Sequence, residues 1–166
     1  MAISIITEAR NLCGKDIHLL LLGDGVVYQS LRSQQLPNYI HLLGFKTNPV
    51  DYYAISDMGF LPSRFHGESF PLSIIECLFA GKPFIASNLG EIRSMLNTED
   101  GMAGAVFDLD HWEIPIKTVA QLVADFAENQ EIYNKAKALT QKVAGRFDIK
   151  HIVSDYEKAY KKLLTF

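Results

Sequence analysis

The chain has 166 residues, 48% hydrophobic and 21% charged, enough for one domain with a real core and an ordinary globular balance. Its 16 Lys and Arg against 19 Asp and Glu leave a net charge of −3. A domain that grips nucleic acid carries a basic face, and the one lysine group, Lys158, Lys161 and Lys162, lies at helical spacing and reads as a solvated helix face, so no nucleic-acid partner is expected. No apolar run reaches the ~18 residues of a membrane span, and nothing resembles a signal peptide. Cys13 and Cys77 sit in apolar helical context and read as reduced core thiols, which points to the cytosol.

In chain order the pattern alternates. A helix over Ile3–Cys13 leads into IHLLLLG (17–23), a continuous apolar run ending in glycine. A helix over Val26–Gln35 leads into YIHLLG (39–44), and one over Val50–Ser56 into DMGFLP (57–62). Pro71–Ala80 is helical and is followed by PFIAS (83–87); Ile92–Leu96 is helical and is followed by GAVFD (104–108). Three helices close the chain, over Ile116–Ala127, Glu131–Val143 and Ile149–Leu164. Continuous apolar runs mark strands covered on both faces, as in parallel sheets. Strands alternating with helices imply βαβ units. The expected class is α/β: one Rossmann-like domain over residues 1–166, a doubly wound parallel sheet with helices on both faces. Such a sheet ordinarily begins on a strand. The helix that feeds directly into IHLLLLG therefore suggests an earlier strand and loop, and a chain that is a piece of a longer polypeptide.

Ligands of open α/β sheets bind at the carboxyl ends of the strands. Four such ends carry polar or glycine-rich loops: Gly23-Asp24-Gly25, Gly44-Phe45-Lys46, the stretch from Pro62 through Arg64 and His66 to Ser69, and Ser87 to Glu91. Parallel strands would bring these loops to one rim. Pro71 suits a first helical position, and the amides near Leu72 and Ser73 then form an anion site supported by the helix dipole. Two carboxylates frame this helix start, Glu68 in the loop and Glu76 in the apolar run LSIIECLFA. Burying an unpaired carboxylate costs several kcal/mol. Glu76 either holds a ribose diol, as acids do in dinucleotide folds, or pairs with a Lys or Arg; Glu68 either contacts ligand or is an exposed loop acid. The five histidines are scattered. His66 is near the rim, and His18 and His41 read as core or edge residues of strands.

ESFPLSIIECLFAGKPFIASNLGEI resembles the E-x7-E region of retaining family 4, or group 1, glycosyltransferases. Glu68 and Glu76 have that separation, and Phe70, Leu72, Ala80, Gly81, Pro83, Ile85, Ala86 and Gly90 fall at matching positions. LLLLGDG resembles the family's strand-GDG turn, and YIHLLGF its strand before the nucleobase loop. The resemblance covers essentially the whole chain. It implies a GT-B fold, of which this chain resembles the C-terminal, donor-binding half, with the N-terminal acceptor domain and this domain's first strand absent. It implies a donor that is a nucleoside-diphosphate sugar of uridine or guanosine type and transfer with retention onto a saccharide or lipid-linked acceptor. The expected setting is bacterial surface polysaccharide synthesis, in the cytoplasm or at the inner membrane face with peripheral association. Glu68 would be the catalytic contact to the transferred sugar. The donor would be bound by Glu76, Ser69, Phe70, Leu72, Ser73, Gly23, Asp24, Gly25, Gly44, Phe45, Arg64 and His66. No cofactor and no metal are implied. Pro71 departs from the family's glycine and offers no amide. The family's Arg and Lys for the diphosphate precede the segment that matches this chain's first helix. The isolated domain is expected to fold but to lack transferase activity, with the apolar side of the 149–164 helix exposed for want of its partner. The alternatives are a non-catalytic Rossmann-like interaction module and a nucleotide-sugar epimerase of the same architecture; the paired acids speak against the epimerase.

Overall fold

The computed structural model describes residues 1–164, so the last two residues of the expected 1–166 domain lie outside the described residues. In chain order the elements are α1 (Ala2–Cys13), β1 (Leu19–Leu22), α2 (Val26–Arg32), β2 (Ile40–Gly44), α3 (Pro49–Ile55), β3 (Gly59–Leu61), α4 (Leu72–Phe79) and β4 (Phe84–Ser87). They continue with α5 (Ile92–Leu96), β5 (Asn97–Thr98), β6 (Gly101–Met102), β7 (Gly104–Phe107), α6 (Ile116–Glu128), α7 (Gln130–Ala144), a 3-10 turn over Gly145–Phe147, and α8 (Ile149–Leu164). Gly14 stops α1 in the left-handed region at φ 65 and returns its amide to Arg10 O at 2.8 Å. Arg10 then holds Asp16 Oδ1 at 2.7 Å and Ile17 O at 2.6 Å, which turns the chain into β1.

The strands pair in parallel, as the apolar runs imply. β4 shows why its run is continuous. All four of its residues are buried; Ile85 faces a core shared with α1 and α6, while Phe84 and Ala86 face a second core under α4, α5 and α7. Successive side chains of a strand point to opposite faces, so a strand roofed on both sides is apolar throughout. Burial, not propensity, holds these helices: Ile5, Ile6 and Ala9 of α1 and Val119, Ala120 and Val123 of α6 sit in the first core.

The expected parallel α/β architecture is present, and its parallel strands are divided. Among the described residues they form two sheets, β1-β2 and β3-β4-β7, with β1 and β3 each paired along one edge only. A groove of about 1290 Å³ runs between them. β5 and β6 form a small antiparallel hairpin, closed by the Thr98 hydroxyl donating to Gly101 O at 2.9 Å, that sequence periodicity does not show. Cys77 is fully buried, whereas Cys13, expected in the core, is only half-buried at the edge of α1, where its thiol donates to Ala9 O. α8 has no buried residue: Ile149 is 67% exposed, Tyr156 60% and Leu163 70%. Lys158 on the same helix pairs with Asp155.

Candidate functional site

The start of α4 organises the rim. Pro71 is its capping residue, with extended backbone at φ −69 and ψ 121, not the first helical residue that the sequence suggests. Proline fixes φ and leaves ψ open, so its ring serves a cap as readily as a first turn. The effect on the amides is the same. The first return bond runs from Ile74 N to Pro71 O at 3.2 Å, and the amides of Leu72 and Ser73 meet no acceptor among the described residues. One turn along, Glu76 is half-buried and makes no ion pair or side-chain hydrogen bond to any described residue. With Ser73, Pro62 and Leu22 it lines the groove between β1 and β3. Tyr53 stands beside it. Burial raises the phenol's pKa above its ordinary range, and the neighbouring Cys77 and Glu76 side chains raise it further, against a Ser73 hydrogen bond that lowers it.

Glu68 lies in the preceding loop, half-buried, its side chain also without a partner among the described residues. Its backbone is fixed by the loop after β4. Gly90 sits at φ 49 with its α-carbon pressed on that loop: a Cβ there would fall 2.5 Å from Ser69 Cα, 2.5 Å from Ser69 O and 2.7 Å from Glu68 O. The neighbouring Glu91 amide donates to Ser69 O at 2.8 Å. Only glycine permits this approach in a left-handed conformation. The third and fourth rim loops are thereby one unit.

A third segment clasps the same loop. Asp110 and Glu113 exchange backbone bonds of 2.8 Å around His111 and Trp112, which sit at φ 46 and 65. The Trp112 ring stacks on His66 with centroids 3.9 Å apart, and its indole N–H donates to Arg64 O at 3.0 Å. Glu113 pairs with the Arg64 guanidinium. Arg64 and His66, expected to bind a donor, are thus both engaged by this turn, Arg64 by a carboxylate that neutralises it. Phe70 is exposed and packs edge-on against Phe147 with ring centroids 5.8 Å apart. Leu72 is 68% exposed.

The first two rim loops also join, as Gly23 N donates to Gly44 O at 2.9 Å. Gly25 caps α2, Asp24 is exposed between the two glycines, and Phe45 is 65% exposed beyond Gly44. Of the expected residues only Ser73 and Glu76 line the groove between β1 and β3. Gly23, Asp24, Gly25, Gly44 and Phe45 lie in the joined loops after β1 and β2, and Arg64, His66, Glu68, Ser69, Phe70 and Leu72 lie along the segment from β3 into α4. His18 and His41, read as strand residues, stack on each other with Nδ1 and Nε2 2.8 Å apart; His18 is exposed just before β1 and His41 half-buried in β2. Sequence reasoning missed Tyr53, Trp112, Glu113 and the locking role of Gly90. Trp112 is the chain's single tryptophan, and its place in a polar loop was the available signal. Among the described residues no group of three or more His, Cys, Asp or Glu could hold a metal ion.

The family model described as glycosyl transferases group 1 matches residues 2–125. The chain belongs to that family. Among curated proteins this group 1 chain is similar to N-acetyl-alpha-D-glucosaminyl L-malate synthase of Bacillus anthracis, 27% identical over an alignment 164 residues long that covers 96% of this chain and 40% of the relative. Among solved structures it is similar to Anabaena HepE in complex with UDP-glucose, with a TM-score of 0.75 at 21% identity over 95% of this chain and 44% of that one. It is similar also to the pneumococcal O-GlcNAc transferase GtfA in complex with UDP and GlcNAc, with a TM-score of 0.77 at 20% identity, over 98% of this chain and 32% of that one. The group 1 chain shares the fold of these neighbours, α/β with parallel strands and helices on both faces. It spans less than half the length of each of these relatives.

Proposed function

We propose that this group 1 chain is the donor-binding, C-terminal half of a retaining glycosyltransferase, and that the rim at the start of α4 holds a nucleoside-diphosphate sugar of uridine or guanosine type. The observation that carries the reading is Glu76. It is a half-buried carboxylate without a partner among the described residues, beside Ser73 in the groove, one helical turn past amides that lack acceptors. A ribose diol satisfies both lone-pair faces of such an acid. The diphosphate takes the amides of Phe70, Leu72 and Ser73 and the positive end of the α4 dipole. That places the transferred sugar outside the helix start, toward Glu68. Gly44 and Phe45 border the base. The two structural relatives with bound UDP and sugar support the choice of ligand class.

In the intact polypeptide the bond from the anomeric carbon to the diphosphate oxygen breaks while the acceptor oxygen bonds that carbon from the same face. The acceptor proton leaves with the diphosphate, whose charge the helix start stabilises. Glu68 contacts the reacting sugar, where an interaction counts most in the transition state. Surface polysaccharide synthesis at the cytoplasmic membrane face is the setting this reading favours. Half of the machinery cannot position two substrates, so this domain alone turns nothing over. Calorimetric titration with uridine, guanosine and adenosine diphosphates tests the assignment. Saturable binding of uridine or guanosine diphosphate supports it; no binding of any of the three to the intact polypeptide leaves a non-catalytic module.

A further inference from the structure

We propose that Glu113 gates the donor: its carboxylate competes with the diphosphate of a nucleotide sugar for the guanidinium of Arg64, so that the turn after β7 sets how firmly the phosphates are held. This rests on the reading of the α4 rim as a nucleoside-diphosphate site. Arg64 lies in the loop before α4, and Glu113 comes from a turn 49 residues further on. Their ion pair is open to water, with side chains 44% and 68% exposed. Such pairs contribute little to stability, because water screens them and two long side chains must be held in one geometry. A guanidinium presents the same planar fork to a carboxylate and to a phosphate, and a diphosphate brings more charge and more acceptor oxygens. Glu113 is therefore a partner that a diphosphate can displace.

The turn holds the backbone and the side chain of Arg64 separately. The indole N–H of Trp112 donates to Arg64 O at 3.0 Å, and the Trp112 ring stacks on His66 with centroids 3.9 Å apart. These contacts fix the backbone from Arg64 to His66. Among the described residues only the Glu113 carboxylate holds the guanidinium. Glu113 is not free to follow that side chain elsewhere. Asp110 and Glu113 exchange backbone bonds of 2.8 Å, and His111 and Trp112 between them sit at φ 46 and 65. Left-handed backbone is costly for residues other than glycine. Two in succession persist only where neighbouring contacts over-determine them, as they do in ligand clamps. A change of partner at Arg64 therefore moves one side chain and leaves the loop in place.

The loop's own geometry sets Arg64 beside the approach to the helix start. The Glu68 amide donates to Phe65 O at 3.0 Å, closing a turn whose ends lie within about 7 Å of each other. The chain doubles back there, with Arg64 at one foot of the turn and Ser69 at the other. Ser69, its carbonyl held by the Glu91 amide at 2.8 Å, leads through Phe70 and Pro71 to the amides of Leu72 and Ser73. Two other basic side chains of the rim loops are engaged away from this foot: Arg93 lies 3.8 Å from Asp108, and the Lys46 ammonium lies 5.8 Å from the centre of the Tyr52 ring.

Calorimetric titration of the intact polypeptide tests it, with uridine and guanosine diphosphates and, as phosphate-free probes, uridine and guanosine. Glu113→Gln keeps the shape of the side chain and removes its charge. It should tighten the diphosphate by about three- to fivefold, the most that an exposed pair withholds, and leave the nucleoside unchanged. Arg64→Gln should weaken the diphosphate by about tenfold. Adding Glu113→Gln to Arg64→Gln should change nothing further, because the gate acts through Arg64. A double variant that still gains affinity overturns the proposal in favour of general repulsion by Glu113. Equal or weaker diphosphate binding by Glu113→Gln overturns it too and makes the pair a brace for the turn, and so does a gain that the nucleoside shares. In each of these cases a parent that binds the diphosphate leaves the reading of the rim standing. A parent that binds neither diphosphate overturns both.

Discussion

Replacing Gly90 by alanine tests whether the Glu68 loop is held for function. The new Cβ would lie 2.5 Å from both Ser69 Cα and Ser69 O and 2.7 Å from Glu68 O. Carbon contacts settle near 3.5–4.0 Å, so the loop must retreat by about 1 Å. Alanine in the left-handed region costs a further ~1–2 kcal/mol. Together these should lower stability by about 2–3 kcal/mol, which for a chain of this size lowers the melting temperature by about 4–12 °C. A displacement of about 1 Å at a reacting group can cost ~100-fold in rate. The atoms nearest that new Cβ belong to the Glu68–Ser69 backbone, in the loop before α4, whereas Glu76 sits on α4 itself. The intact polypeptide carrying Gly90→Ala should therefore bind nucleoside diphosphate within about threefold of the parent, less than the tenfold that 1.4 kcal/mol brings, while turnover of the sugar donor falls by about two orders of magnitude. Calorimetry and a donor-consumption assay below the melting transition separate the two. A lower melting temperature with unchanged turnover would show that the Glu68 loop is only packed by Gly90 and plays no part at the reacting sugar.

Trp112→Ala removes the ring stacked on His66 and the donor to Arg64 O. It should loosen the 63–67 loop, seen as faster hydrogen exchange there, and leave exchange in β4 unchanged. The Cys77 thiol is pushed up to about 12 by burial, its backbone bond to Gly59 and the charge of Lys82 pulling the other way, so it stays neutral in the native chain. A thiol reagent at pH 8 should label Cys13 and reach Cys77 only on unfolding. The sign for stability follows: the folded state keeps a proton that the unfolded thiol, with its ordinary value of 9.0, gives up. This contribution is complete below pH 9 and declines as pH rises towards 12, by about 1.4 kcal/mol per unit, so urea midpoints should fall across that window. Ser87 Oγ is buried at the end of β4 with no hydrogen-bond partner among the described residues. Ser87→Ala removes an unsatisfied hydroxyl and should raise stability by up to about 1 kcal/mol in urea denaturation.

Most of the scaffold was legible because burial writes a strong pattern. Residues 83–87 read as a strand roofed on both faces, and all of Phe84–Ser87 are buried. α1 and α6 read as helices because their apolar positions recur on one face and that face is in the core. The loops of the rim were legible as strand ends followed by glycine or proline. The rest depends on tertiary contact. Arg64 and His66 looked like ligand groups because charge and position are all that a loop sequence displays; their capture by Glu113 and Trp112 comes from a turn roughly fifty residues away. Trp112 at φ 65 is not a residue that propensity places in a left-handed turn. β5 and β6 are two residues each, too short for any periodicity to register. The division of the sheet was hidden for a different reason: each strand carries the apolar pattern of a central strand whether or not its neighbour is present.

The central claim is that Glu76 is a carboxylate kept for a ligand. Titrating uridine diphosphate into the intact polypeptide, its Glu76→Ala variant and its Glu68→Ala variant tests it most directly. A charge-assisted hydrogen bond contributes about 1.5–3 kcal/mol. Glu76→Ala should therefore weaken uridine or guanosine diphosphate by about 10- to 150-fold, with an unchanged melting temperature, because no described residue pairs with that carboxylate. Glu76→Gln should fall between. Glu68→Ala should bind the diphosphate like the parent and lose turnover. Equal affinity for the parent and Glu76→Ala, or a melting temperature that falls while affinity holds, would contradict the account.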